Sequence, residues 1–359
     1  MSLDKKHLGS GRFIDANYPD YIVVRDVHEG DVKGKMELSR AVKIDEAEDL
    51  KPRRGIFKPM HEIFKKRKNK KVYRYANHYG EYVAYRIAEE IGVPACIVDM
   101  AKRKHTNKYT RKTSDIEGCI SYIHKLKGDS VVSGITILEE YRREVLEKQG
   151  IQSNASDNNN IDTIIKAVDW YLRKKSDLSN QRINEILKSI VEMTVFDCAF
   201  GNSDRNDDNW GIWFKPNEED VNQRVELYPT YDNERILGFM EREDVVKAIL
   251  EDDDTIKRYH NETLLSRIGF PPKKEKVNYK DMIKYLLDNY PEWTRSGLDK
   301  VLNLREKDLE DILSECEGLE ASYKMFSMAI FKDRRENIRQ CLNEYYLKQS
   351  AKKYEGEEL

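Results

Sequence analysis

The sequence predicts an α+β chain in two unequal lobes, a small β-rich lobe followed by a larger, mostly helical one. Three observations carry this prediction. The first hundred residues alternate short β-branched runs with glycine turns and hold one strong helical stripe. From Ile161 onward the apolar residues recur mostly at helical spacing. A length of 359 residues is enough for two lobes, and so large a core needs no disulfide or metal staple. The expected division is 1–123 for the first lobe and 124–359 for the second.

In chain order, Asp20 to Arg25 reads as a strand, the stretch from His28 to Gly34 as a turn with two glycines, and Lys35 to about Ile44 as a second strand. Arg54 to Pro59 is a third strand, stopped by its proline. The basic run Lys65 to Lys71 reads as a solvated loop. Asn77 to Ile91 is a helix, because Val83, Ala84, Ile87, Ala88 and Ile91 share one face. Gly92 is placed to cap it and Pro94 to end it. Strands are expected over Val93–Met100 and Cys119–His124, with loops at Lys102–Ser114 and Gln152–Asn160. Ser179 is an N-cap candidate for a helix striped by Ile183, Ile186, Leu187, Ile190, Val191 and Thr194. Ile212–Phe214 and Val225–Tyr228 read as a hairpin, and the remainder as helices interrupted at Pro271, Pro272 and Pro291.

The charge pattern narrows the class. Lys and Arg number 63 against 65 Asp and Glu, a net charge of −2, which argues against a body built as a nucleic-acid clamp. No apolar stretch is long enough for a membrane span, and the first thirty residues lack a signal-like apolar core. Five scattered cysteines read as reduced, buried thiols, so a cytoplasmic protein is expected.

The densest polar constellation is Asn202, Asp204, Arg205, Asn206, Asp207, Asp208 and Asn209, between an apolar helix and a strand; Asp232 follows at the end of the next strand. Such a loop can aim Asp204 and Asn209 at one point, and the hairpin brings Asp232 to it. Asn209 and Asp232 would supply two oxygens for magnesium, leaving Asp204 to accept a proton. An Asx-rich turn explains one or two such residues, but poorly explains a loop made of them. A calcium loop of the EF-hand kind lacks its glycine and its final glutamate. In the first half, Lys58 lies between apolar neighbours on a strand, and Glu81 near the start of the helix can pair with it. Taken singly, an edge-strand lysine and a helix-start glutamate need no function; together, upstream of the 202–232 constellation, they point to phosphate binding. Gly30, Lys33, Gly34 and Lys35 can bring backbone N–H groups and ammonium groups to phosphates, although an ordinary hairpin turn accounts for them equally well.

Gly201-Asn202-Ser203-Asp204, Asn209 and Pro229-Thr230-Tyr231-Asp232-Asn233 resemble the catalytic and metal-binding motifs of HipA-like serine/threonine kinases. Arg54-Gly55-Ile56-Phe57-Lys58-Pro59 is similar to that family's ATP-lysine strand. Glu81 to Ala88 with Gly92-Val93-Pro94 is similar to its glutamate helix. The resemblance spans roughly residues 20 to 240. It implies a bilobal protein-kinase-like fold, ATP and Mg2+ as cofactors, Asp204 as base, Asn209 and Asp232 as metal ligands, and Lys58 paired with Glu81. It also implies that Gly30 to Lys35 covers the phosphates and that Cys119–His124, through Ser121 and Ile123, is the hinge that meets adenine.

The chain departs from the family pattern in four ways. Asn206 stands where relatives carry a histidine, and Glu234 where many carry glycine. Residues 25–38 contain no serine or threonine for an autophosphorylation switch. Lys58 comes too early for the family's extra N-terminal toxin domain, so a short stand-alone member is expected. An Asp-Arg-x-x-x-Asn pattern, shared with lipid kinases, leaves a lipid or small-molecule acceptor open beside a protein hydroxyl. The departures also leave open a nucleotide-binding module without turnover. Eleven basic residues against one acid between Lys51 and Tyr75 read as a solvated face, or else as a patch for an acidic partner; nucleic acid is not expected.

Overall fold

A computed structural model of the chain describes residues 14–15, 21–24, 39–43, 53–60, 62–64, 72–106, 113–122, 124, 128–150, 160–271 and 276–357. The first lobe is built on a six-stranded sheet of order β1-β7-β8-β4-β3-β2. Its strands are β1 (Ile14–Asp15), β2 (Tyr21–Val24), β3 (Ser39–Lys43), β4 (Arg53–Pro59), β7 (Val98–Thr106) and β8 (Thr113–Tyr122). Only the β1–β7 pairing is parallel. A separate hairpin joins β5 (Glu62–Phe64) to β6 (Val72–Arg74). β4 is an inner strand between β3 and β8, which sets Lys58 opposite Cys119.

α1 (Asn77–Ile91) has the predicted bounds. Gly92 ends it at φ 68°, a left-handed conformation that costs glycine little and lets its N–H reach back to the last turn. Val83, Ala84, Ile87 and Ala88 are fully buried, because the helix lies against β7 and β8 on one side and the second lobe on the other.

The second lobe holds a small sheet of order β11-β10-β9, made of β9 (Ser130–Ser133), β10 (Gly211–Phe214) and β11 (Val225–Leu227). Around it lie α2 (Gly134–Tyr141), α3 (Ile161–Lys175), α4 (Asn180–Phe200), α5 (Glu243–Ile249), α6 (Asp253–Glu262), α7 (Tyr279–Asn289), α8 (Pro291–Asn303), α9 (Glu306–Glu315) and α10 (Ala321–Glu357). α4 is the central helix, packed on α3, α7, α8 and α10. Ser179 caps it, accepting from the Arg182 N–H at 3.2 Å. Its stripe of Ile183, Ile186, Leu187, Ile190 and Val191 is buried, each side chain contributing roughly 1.5–3 kcal/mol of transfer free energy. Among the described residues no helix is long and apolar enough to cross a membrane. The five cysteines are buried and unbridged.

Four expectations need correction. The strand expected at Val93 begins at Val98; the residues before it cross toward the second lobe, where Cys96 N–H donates to the Thr230 carbonyl at 2.8 Å. Lys102–Thr106 and Thr113–Ser114, expected in a loop, belong to the β7–β8 ladder. Their charges hid a strand because they are matched across it, with Lys102 opposite Glu117 and Lys104 opposite Asp115. The strand drawn over Cys119–His124 is the latter part of β8, which stops at Tyr122. Pro291 opens α8 rather than breaking a helix, since the first helical position needs no N–H. The glycine turn at 28–34, the loop at 65–71, and Pro272 lie outside the described residues.

Candidate active site between the lobes

Lys58 enters the cleft from the middle of the sheet and is buried. Its ammonium donates to Glu81 Oε1 from α1 and, at 2.6 Å, to Asp232 Oδ1 from the second lobe. Burial opposes the charge, yet the two carboxylates outweigh it and hold Lys58 well above its ordinary value. Burial likewise pushes the Asp232 carboxyl up, but Lys58 prevails and keeps it below the usual range. Asp232 adopts φ 60°, a left-handed conformation at about 1–2 kcal/mol for a residue other than glycine.

The 202–209 loop is held from beneath by an ion pair of α4 with the loop itself. Asp197 lies in the apolar last turns of α4, where a carboxylate must find partners. Arg205 supplies them through two bonds, Nε to Oδ2 at 2.9 Å and Nη2 to Oδ1 at 3.0 Å. The same guanidinium donates to the carbonyls of Asn209 (2.7 Å) and Tyr231 (2.8 Å) and to the Asn233 side chain. One buried cation therefore joins α4, the 202–209 loop and the 231–233 segment. Arg334 of α10 secures the preceding helix end, donating to the carbonyls of Cys198, His260 (2.8 Å) and Leu264 (2.7 Å).

On this base, Asn202 receives the Asp204 N–H at 3.2 Å, and Asn209 donates its NH2 to the Asp204 carbonyl at 2.7 Å. Asn209 thereby keeps its Oδ1, and Asp232 its Oδ2, for another partner. Burial raises the Asp204 carboxyl above its ordinary value; Arg235, with Nε 3.2 Å from Oδ2, draws it back only in part. Asn206 completes the turn, receiving the Asp208 N–H at 2.9 Å on its side chain and the Asn209 N–H at 3.0 Å on its carbonyl.

Of the residues singled out in the sequence, Lys58, Glu81 and Asp232 are in direct contact, and Asp204 and Asn209 share one loop tied to Asp232 through Arg205. Ser121 is buried on β8, opposite Ile56 and Val98, two positions along from the residue facing Lys58. Gly30, Lys33, Gly34, Lys35 and Ile123 lie outside the described residues. The segment after β8 does reach the second lobe, where His124 N–H donates to the Tyr228 hydroxyl at 3.1 Å.

Sequence reasoning missed three participants. Asp197 was detectable as an acid inside an apolar helical stripe. Arg235 carried no signal. Glu234 was noted only as a departure; its carboxylate receives Asn77 Nδ2 at 3.2 Å, and burial, with the Glu81 charge nearby, pushes it up to about 7. Its backbone also lies so close to α1 that only glycine fits at position 80.

No family model and no curated protein matches the chain. Solved structures do. A Helicobacter pylori proinflammatory kinase, CtkA, superposes with a TM-score of 0.66 at 15% identity, over 93% of this chain and 98% of that one. The chain shares the bilobal, protein-kinase-like fold of that structure. The HipA of Shewanella oneidensis MR-1, in complex with HipB and operator DNA, also matches at 10% identity and a TM-score of 0.44, over 91% of this chain and 65% of that one. In this bilobal kinase fold, Lys58 and Glu81 come from the sheet lobe, while Asp204, Asn209 and Asp232 come from the helical lobe.

Proposed function

We propose that the chain is an ATP- and Mg2+-dependent phosphotransferase acting on serine or threonine hydroxyls of a protein. The observation that carries this reading is the contact of Lys58 with Glu81 and Asp232 across one cleft, beside Asp204 and Asn209. Lys58, fixed and charged, is suited to pair with nucleotide phosphates. The Oδ1 of Asn209 and the carboxylate of Asp232 fit magnesium, which prefers a few hard oxygens from protein and the rest from phosphates and water. Bound there, the ion would neutralise phosphate charge. Asp204 would accept the proton of the acceptor hydroxyl as its oxygen bonds to the γ-phosphorus and ADP leaves. A carboxyl raised by burial is a better base for that step than one in water.

The sheet lobe through residue 123 would carry the nucleotide, with Gly30, Lys33, Gly34 and Lys35 over the phosphates and Ser121 and Ile123 toward adenine. Buried, reduced thiols fit a cytoplasmic setting. Labelled ATP offered to protein, lipid and metabolite pools identifies the acceptor. Asp204→Ala and Asp232→Ala should lose transfer while remaining folded. If both retained full transfer, the assignment would fail.

A further inference from the structure

Beside Asp204 lies a cavity of about 310 Å³, lined by Tyr75 from the first lobe and by Ser203, Arg235, Glu241, Tyr259 and Leu264 among others from the second. Ser203 and Arg235 connect it directly to the base. We propose that this cavity is the acceptor subsite, that it takes a serine or threonine peptide with an acidic residue next to the hydroxyl, and that Arg235 reads the acid. The proposal rests on the kinase reading of the same site.

Two features point to an anionic acceptor. The charged groups lining the cavity are Arg235 and Glu241, and Glu241 is already engaged, receiving the Tyr259 hydroxyl at 3.0 Å. Arg235 is also loosely held. Its Nε sits 3.2 Å from Asp204 Oδ2 as an ion pair. Both side chains are more than a third exposed, at 41% and 37%, where such pairs exchange at little cost. A planar guanidinium prefers a carboxylate it can meet with two parallel bonds. An acidic side chain on the peptide offers that geometry. By drawing Arg235 away, it would also uncover the Asp204 oxygen that must receive the hydroxyl proton. The tyrosines and Leu264 supply apolar walls for the peptide backbone and its neighbouring side chains.

The test uses the full chain with ATP and magnesium, and three synthetic serine peptides flanked by Glu, Ala or Lys. Wild type should favour the Glu peptide over the Ala peptide about tenfold in kcat/KM, through a lower KM and, because Asp204 is uncovered, a higher kcat. Arg235→Gln should erase that ratio, and Arg235→Glu should reverse it toward the Lys peptide. Equal rates on all three peptides, or a ratio that Arg235→Glu leaves unmoved, would overturn the inference while leaving the kinase reading intact. A chain that transfers phosphate to no acceptor would count against the kinase reading instead. In that event, fluorescence anisotropy of the same peptides without nucleotide still tests Arg235: tighter binding of the Glu peptide supports its role, and equal binding removes it.

Discussion

The Asp197–Arg205 pair is the structural foundation of the cleft, and its removal has a size that can be worked out. Both side chains are almost wholly buried, 2% and 1% exposed. Arg205→Met strands a carboxylate whose remaining side-chain partner is Asn202, and it removes the donor shared by the Asn209 and Tyr231 carbonyls. Breaking such a pair costs about 3–5 kcal/mol, a large share of the roughly 5–15 kcal/mol that holds a protein folded. Asp197→Leu strands the guanidinium at similar cost. The double variant leaves no stranded charge at this pair, so only the unsatisfied carbonyls and Asn233 remain, at about 1–3 kcal/mol each before relaxation or water entry. Its loss should therefore fall about 2–3 kcal/mol short of the two single losses added together. Urea unfolding, followed through the fluorescence of the four tryptophans, of which Trp210 directly follows the loop, measures all three variants. Strictly additive losses, or a single loss below about 1 kcal/mol, would refute the claim that one ion pair carries the loop.

Further predictions concern the seam between the lobes. Gly80→Ala should lower stability by about 1–3 kcal/mol, read as a lower melting temperature, because its Cβ meets the Glu234 carbonyl. Tyr82→Phe removes a phenol that donates to Glu315 at 2.9 Å and receives Arg86 at 3.0 Å; a melting shift worth about 1–2 kcal/mol is expected. Glu234 titrates near 7 in the fold, above the ordinary 4.5, so the folded state binds its proton more tightly. Its contribution is full at low pH and is lost as pH rises through about 7. In metal- and nucleotide-free protein, Glu234→Gln should therefore gain stability relative to wild type as pH rises across that window. The comparison cancels His78 and His260, whose lowered values slope the other way. A difference that stays flat with pH would contradict the burial of Glu234.

Much of this architecture was legible because local chemistry and tertiary packing agree. Asn77–Ile91 has one apolar stripe and a glycine cap, and nothing in the packing opposes it. Ser179 marked the start of α4 for the same reason. What escaped notice depends on partners distant in the chain. Lys102 and Lys104 read as loop until Glu117 and Asp115 stand opposite them. Gly134 opens α2 directly after β9, and that junction is set by tight packing on Trp210 rather than by local pattern. In the site, the polar density of 202–209 was visible, and so was Lys58 among apolar neighbours. Arg235 was not, because an arginine in a charged segment carries no mark until Asp204 is found beside it.

The central claim is that Lys58, Asp204, Asn209 and Asp232 converge on one nucleotide. A crystal structure with a non-hydrolysable ATP analogue and magnesium tests it most directly. The account predicts the Lys58 ammonium on a phosphate oxygen, Asn209 and Asp232 on the ion, and Asp204 facing the γ-phosphate from the acceptor side. A nucleotide bound elsewhere, or a magnesium that neither Asn209 nor Asp232 touches, would contradict it.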